Sequence, residues 1–129
     1  MKSLISPESL KLGFGLMRLP RTTGGNSEGP IDLETTKAMV DAFYAAGGRY
    51  FDTAFIYDGS EEAARQALVE RYPRESYYLA TKLNAAMWCA KSEEQAKAEL
   101  QESLRRTAAG YFDFYLLHDV KGSSLPLYD

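Results

Sequence analysis

The chain has 129 residues, which is enough for one domain with its own hydrophobic core. Of these residues 45% are hydrophobic and 26% are charged, and the formal net charge is −3. This mild acidity, without any basic block, argues against nucleic acid and against an anionic membrane surface as partners. The single cysteine, Cys89, excludes an internal disulfide and a cysteine-based zinc site, so we predict a cytoplasmic protein without a metal.

The first predicted strand and helix lie at residues 12–17 and 33–46. The strand is an apolar run interrupted by two glycines, which is typical of a place where another group approaches the backbone closely. Glycine, threonine and serine between Pro20 and Pro30 predict a loop. Asp32 is a suitable N-cap for the helix. The residues expected on its inward face are Thr36, Val40, Phe43 and Tyr44.

The second strand is predicted at residues 49–52 and the second helix at residues 61–71. Asp52 ends this strand, and Tyr57 follows in the next loop. Ser60 is expected to cap the helix, with Glu61 and Glu62 as charges near its positive end. The residues expected on its inward face are Ala64, Ala67 and Leu68.

The third strand, residues 77–82, ends on Lys82. The spacing of Ser92 and Gln95 predicts a capping box for a helix that extends to about residue 109. The residues expected on its inward face are Ala96, Leu100, Leu104 and Thr107. Gly110 ends this helix, and a fourth strand at residues 111–118 ends on the only histidine, His118.

This alternation of strands and helices predicts a parallel sheet, because each connection is long enough for a crossover helix. Parallel strands have their carboxyl ends at one edge, so Asp52, Lys82, His118 and the nearby Tyr57 should meet on one rim. Four strands cannot close a barrel, and their open edges invite pairing with another chain. We therefore expect an α/β fold: the first four strands and three helices of a (β/α)8 TIM barrel, or two copies that pair into one. A doubly wound sheet is less favoured because the first turn lacks a full G-x-G-x-x-G.

The four side chains on this rim suit carbonyl chemistry. A lysine cation about 4 Å from a phenolate stabilises it by roughly 4 kcal/mol at an effective dielectric constant of about 20. Lys82 would thereby make Tyr57 a usable proton donor. Asp52 would hold Lys82 in place, and His118 would donate a hydrogen bond to a carbonyl oxygen. Reduction of that carbonyl needs a hydride, which a cofactor must supply.

Four motifs, in order along the chain, resemble the aldo-keto reductases. They are the runs at residues 12–20, 51–61, 80–83 and 113–118. The resemblance covers nearly the whole chain from Leu12 to His118. The strand sequences are similar to a bacterial branch that often carries a C-terminal iron–sulfur segment, and Cys89 alone could not bind such a cluster.

The resemblance implies a catalytic tetrad of Asp52, Tyr57, Lys82 and His118, with Tyr57 as acid and base. It also implies that Gly15, Met17 and Arg18 approach the nicotinamide end of NADPH, with Asp52 near the nicotinamide ribose. Members of the family are complete eight-stranded barrels, and their site for the adenosine phosphate lies in the second half. Residues 1–129 are therefore expected to form the N-terminal half of such a barrel.

Two functions from different classes remain open at this stage. One is the NADPH-dependent reduction of a small aldehyde or ketone through the four residues named. The other is a catalytically inactive barrel fragment that acts only through self-association or a partner. Phe55 and Trp88 could line a substrate pocket, and they could equally cover the rim of the barrel.

Overall fold

In the computed structural model the described residues are 10–23, 29–85 and 90–128. The predicted alternation of strands and helices is confirmed. The elements are β1 (Gly13–Gly15), α1 (Leu33–Ala45), β2 (Tyr50–Asp52), α2 (Ser60–Ala64), β3 (Tyr78–Leu83), α3 (Glu93–Thr107) and β4 (Phe114–Leu117). A π-helical turn at Arg65–Val69 continues α2, and short 3-10 turns lie at Arg74–Ser76 and Leu125–Tyr128. Trp88 and Cys89 lie outside the described residues.

The four strands form one parallel sheet in the order β1-β2-β3-β4. Gly15 pairs with Asp52, and Asp52 pairs with Ala80. Further along, Lys82 pairs with Leu116. All carboxyl ends therefore lie at the same edge, as predicted.

The two faces of the sheet differ because successive side chains of a strand point to opposite sides. Phe51 and Leu79 face the helices and are fully buried. On the other face the rings of Tyr50 and Tyr78 lie 5.8 and 6.4 Å from the ring of Phe114. The buried apolar cluster between the sheet and the helices comprises Leu16, Leu19, Val40, Phe51, Ala63, Ala64, Ala67, Leu68, Tyr77, Leu79 and Ala109.

The first helix behaves largely as its sequence predicts. The Asp32 carboxylate caps α1 by accepting a hydrogen bond from the Thr35 amide at 3.1 Å. Thr36 and Val40 are fully buried, and Phe43 packs against the core. Tyr44 is the exception: it is not part of the apolar cluster, and its ring contacts Tyr72 at 4.1 Å and the Arg49 guanidinium at 3.6 Å.

The second helix begins differently from the prediction. Ala64, Ala67 and Leu68 are buried as expected. The predicted cap is wrong, because Ser60 is the first helical residue and the N-cap is Gly59 in the left-handed conformation (φ 71°). The Ser60 hydroxyl instead donates to the carbonyl oxygen of Leu16 at 2.9 Å. Local spacing cannot reveal this contact, since it joins residues far apart in sequence.

The inward face of α3 agrees with the predicted one only at Thr107, which is fully buried. Ser92 caps this helix as expected, but the side chain of Gln95 accepts from the amide of Lys91 and so does not complete a capping box with Ser92. The buried residues of α3 are Glu99, Ser103 and Thr107. Ala96, Leu100 and Leu104, which were also predicted to face inward, are only half-buried.

The fourth strand is shorter than predicted and is exposed along its length. It begins at Phe114 because Asp113 is used as an anchor: its carboxylate accepts from the Leu79 amide at 2.8 Å and from Arg74 at 2.9 Å. The residues of β4 remain 37–50% exposed on both faces. No helix among the described residues is long and apolar enough to cross a membrane.

Candidate functional site

The centre of the candidate site is an ion pair at the carboxyl end of the sheet. Lys82 Nζ lies 2.6 Å from Asp52 Oδ2 and donates to the carbonyl oxygen of Thr53 at 2.8 Å. The Lys82 side chain is 13% exposed and that of Asp52 is 31% exposed, so the ion pair is partly buried and still accessible to solvent. Adjacent strands carry the two residues, which fixes their separation.

Tyr57 is brought to this pair by a tightly hydrogen-bonded loop. Its amide donates to Ala54 at 3.2 Å, and its carbonyl oxygen accepts from Ser60 at 3.0 Å. The Ser60 hydroxyl also shares a 2.6 Å hydrogen bond with the hydroxyl of Thr53. With the loop held in this way, the ring centre of Tyr57 lies 5.0 Å from Lys82 Nζ.

His118 completes the group from the end of the fourth strand. Its ring is 5.5 Å from the ring of Tyr57 and perpendicular to it. Its amide donates to Leu83 at 2.9 Å, and its carbonyl oxygen accepts from the Tyr128 hydroxyl. Burial, and then the nearby Lys82 cation, lower the pKa of His118 below its usual value of 6.5. The imidazole is therefore neutral at pH 7, able to donate from one nitrogen and accept at the other.

One nitrogen of this imidazole has no partner in the described part of the chain. His118 Nδ1 is buried and makes no hydrogen bond there. Buried polar atoms are usually hydrogen-bonded, so an exception calls for an explanation. The structure thus brings together Asp52, Tyr57, Lys82 and His118, the four side chains that the sequence analysis selected.

The three residues predicted to contact a cofactor lie beside this group. Gly15 pairs with Asp52, and a Cβ atom added to Gly15 would meet nothing within 4 Å. Met17 is 56% exposed, and Arg18 is exposed beside it in the turn after β1. The Leu16 amide ties this turn to the carbonyl oxygen of Asp52 at 2.9 Å. Open space next to Gly15 fits the close approach of a flat ring, so the residues present fit a nicotinamide.

The sequence analysis missed a buried charge behind the sheet. Glu61 lies in the first turn of α2, as predicted, but its side chain is fully buried, which the sequence analysis did not predict. It accepts a 2.7 Å hydrogen bond from the Thr81 hydroxyl, and its other oxygen lies 3.3 Å from Arg106. Arg106 is distant in sequence, so no local pattern links the two residues.

A second buried carboxylate lies close to the first. Glu99 is only 5% exposed and accepts a 2.6 Å hydrogen bond from the Asn84 amide. Burial is the main cause that raises the pKa of Glu99, and the negative charge of Glu61 adds to it. Both carboxylates lie behind β3, on the side opposite to Lys82.

Phe55 belongs to this region behind the sheet. The guanidinium of Arg106 lies 4.2 Å from the centre of its ring, and Phe55 also lines a cavity of about 320 Å³ with Gln95, Ala98, Glu99 and Glu102. Within residues 10–23, 29–85 and 90–128, no group of three histidine, cysteine, aspartate or glutamate side chains is placed to hold a metal ion.

A comparison with protein families finds one that accounts for most of the chain. The model described as the aldo/keto reductase family matches residues 11–125. An aldehyde reductase of Saccharomyces cerevisiae is 34% identical over 107 residues, which are 83% of this chain and 29% of that protein. A glycerol 2-dehydrogenase (NADP(+)) of the same yeast is 36% identical over 110 residues, which are 85% of this chain and 32% of that protein.

Solved structures agree on the fold. An aldo-keto reductase from Bacillus halodurans, in its holo form, superposes with a TM-score of 0.70 at 28% identity. The match covers 89% of this chain and 38% of that one. These neighbours are (β/α)8 barrels, so the four parallel strands and three helices correspond to part of such a barrel. The chain spans about a third of the length of the curated relatives it matches.

Proposed function

Since the chain belongs to the aldo/keto reductase family, we propose that it takes part in the NADPH-dependent reduction of a small aldehyde or ketone, with Tyr57 as the proton donor. The observation that carries this proposal is the contact of the Tyr57 ring with both the Lys82 ammonium, at 5.0 Å, and the His118 imidazole, at 5.5 Å. A phenol beside a cation and a neutral imidazole combines an acid with a hydrogen-bonding group for the substrate oxygen.

The roles of the four residues follow from their charges. As the carbonyl carbon gains a hydride, negative charge grows on the carbonyl oxygen, and the Tyr57 hydroxyl gives that oxygen its proton. The phenolate left on Tyr57 is stabilised by the Lys82 ammonium, and Asp52 holds the ammonium in place at 2.6 Å. His118, neutral at pH 7, donates to the same carbonyl oxygen and orients it.

The cofactor in this proposal is NADPH, which supplies the hydride when bound. Gly15, Met17, Arg18 and Asp52 are the residues of this chain that would hold its nicotinamide end. Two structural features support this proposal: the open space at Gly15 and the pairing of Gly15 with Asp52. The similarity to the yeast glycerol 2-dehydrogenase (NADP(+)) supports it as well.

The test of Tyr57 is a turnover assay of Tyr57→Phe, which removes only the phenolic oxygen. We expect NADPH oxidation with an aromatic aldehyde to slow by about 10²- to 10⁴-fold, the usual contribution of general acid catalysis. The ring contacts with Lys82 and His118 remain possible, so the melting temperature should stay close to that of the wild type.

The matched control is Tyr111→Phe. Tyr111 precedes β4, so it lies at the amino ends of the strands and not at the carboxyl ends, and its ring contacts Arg74. This variant should keep wild-type turnover. Undiminished turnover of Tyr57→Phe would remove Tyr57 from the proposed role. Absence of turnover in the wild type itself would favour the second candidate function.

The second candidate is a catalytically inactive barrel fragment that acts through self-association, and the exposure of β4 favours it. Phe114, Tyr115, Leu116 and Leu117 are each 37–50% exposed, in a strand type that is normally covered on both faces. The described sheet is parallel throughout, with β1 and β4 at its edges. Two copies related by a twofold axis would bring the β4 edge of each against the β1 edge of the other. The occupant proposed for this edge is therefore a second copy of the chain.

Self-association is tested by sedimentation of the wild type and of Leu116→Lys. We expect the wild type to be a dimer and Leu116→Lys to be a monomer. The introduced lysine would have to be buried where the β4 edge of one copy meets the β1 edge of the other. Lys97→Glu, on an exposed ion pair of α3, should leave the dimer intact. A wild type that stays monomeric at all accessible concentrations would rule out this candidate.

A further inference from the structure

Arg106 of α3 reaches across to the loop that carries Tyr57. Its Nη1 donates to the carbonyl oxygen of Phe55 at 2.9 Å, and its guanidinium stacks over the Phe55 ring at 4.2 Å. The same nitrogen lies 3.3 Å from the fully buried Glu61. Phe55 precedes Tyr57 by two residues, so Arg106 holds both the backbone and a side chain of the Tyr57 loop.

Glu61 continues this connection to the strand that carries Lys82. Its Oε1 accepts from the hydroxyl of Thr81 at 2.7 Å, while its Oε2 faces Arg106. Thr81 directly precedes Lys82 in β3 and points to the opposite face of the sheet. A continuous set of contacts therefore runs from the Tyr57 loop, through Arg106 and Glu61, to the backbone beside Lys82.

The orientation of Arg106 is itself fixed by further charges. Its Nε lies 3.2 Å from Glu102 and 3.6 Å from Glu62. The Arg106 side chain is 23% exposed, whereas Glu61 is excluded from solvent. An ion pair with one member fully buried is a costly way to gain stability, because desolvation offsets much of the attraction. A role in setting geometry explains the pair better than a role in stability alone.

We propose that Arg106 and Glu61 are positioning residues that set the Tyr57 ring against Lys82 and His118. Both residues act through others, Arg106 through Phe55 and Glu61 through Thr81. The importance of this positioning for turnover rests on the proposed function. The positioning itself is a property of the folded chain and can be measured without cofactor or substrate.

The test uses the Hε1 proton of His118 as a reporter, since the chain has only one histidine and its imidazole signal in proton NMR is unambiguous. The perpendicular Tyr57 ring at 5.5 Å shifts that signal, and Tyr57→Leu gives its position without the ring. The main variant combines Arg106→Met with Glu61→Gln, so that Glu61 is not left as a buried charge without its cation. We expect a folded protein whose His118 signal moves most of the way to that of Tyr57→Leu.

Two further variants make the result decisive. Arg105→Met is the matched control, because Arg105 pairs with Glu102 in solvent, and its His118 signal should equal that of the wild type. Arg106→Lys keeps the charge but cannot stack and bridge in the same way, so it should shift the signal in the same direction. A folded double variant with the wild-type His118 signal would overturn the proposal. If the double variant does not fold, an unshifted signal in Arg106→Lys would overturn it.

A failure of this proposal can be told apart from a failure of the proposed function. The NMR signal reports where the Tyr57 ring lies, whereas NADPH oxidation reports whether that ring takes part in turnover. If the His118 signal of the double variant shifts but the wild type does not oxidise NADPH, the positioning role of Arg106 and Glu61 is kept and the reductase function is rejected.

Discussion

At the scale of single residues, the candidate site depends on the several groups that contact the Lys82 ammonium at once. Its ammonium contacts the carboxylate of Asp52, the carbonyl oxygen of Thr53 and the ring of Tyr57. Burial, and then the same charge, lower the pKa of the His118 imidazole. Burial and this cation together favour a neutral His118, which suits hydrogen-bond donation to a carbonyl oxygen.

The state of His118 gives a prediction with a definite sign. We expect proton NMR to place the pKa of His118 below 6.5 in the folded protein, and Lys82→Met to raise that pKa, because the cation that opposes protonation is gone. Lys97→Met, which removes an exposed lysine of α3, should leave the pKa of His118 unchanged. A pKa of His118 at or above 6.5 in the wild type would contradict the geometry described.

The same shift affects stability in a known pH window. The folded pKa of His118 is lower than the unfolded one, so the unfolded chain binds the proton more readily. The contribution of His118 to the free energy of unfolding is therefore fully present above about pH 6.5. It is lost as the pH falls through the folded pKa.

Sequence reasoning was effective for the residues at strand ends and failed for those behind the sheet. Asp52, Lys82 and His118 each end a predicted strand, and parallel pairing alone brings them to one edge. Glu61 and Arg106 meet only because α2 and α3 pack together. Their pairing depends on tertiary packing, for which a single sequence carries no periodic signal.

At the scale of elements, the strands place the site and the turns between them determine its precision. The first helix ends before the left-handed Gly47 (φ 97°), and Gly48 then passes close to the Phe43 ring. The helix ends and caps were partly predictable from Asp32, Ser92 and these glycines. The inward face of α3 was not, because Glu99 and Ser103 are buried by hydrogen-bonding groups that an apolar pattern does not detect.

The turn after α1 gives a prediction at this scale. A Cβ atom at Gly48 would lie 2.3 Å from two atoms of the Phe43 ring, so Gly48→Ala must displace a ring of the core. We expect a loss of about 1–3 kcal/mol in the free energy of unfolding, as is usual for overpacking. Gly122→Ala is the control, since its Cβ would meet nothing within 4 Å. Urea unfolding measures both, and equal stabilities of the two variants would contradict this description of the turn.

At the scale of the whole molecule, the candidate site lies at the carboxyl ends of the strands, and the side chains of β4 remain exposed. The inner aromatic side chains Tyr50, Tyr78 and Phe114 lie on the face that a closed barrel would bury. Family membership and fold follow from the match over residues 11–125 and from the superposition on complete barrels. The four side chains of the candidate site all come from this part of the barrel, so their arrangement can be tested on this chain directly.

The measurement that tests the central claim most directly is the transfer of deuterium from NADPH labelled at the nicotinamide C4 position to an aromatic aldehyde. We predict that the product alcohol carries one deuterium on its carbinol carbon, and that Tyr57→Phe forms about 10²- to 10⁴-fold less of it in the same time. Two results would contradict the claim that this rim reduces carbonyl groups. One is an alcohol without deuterium, and the other is an equal amount of deuterated alcohol from the wild type and from Tyr57→Phe.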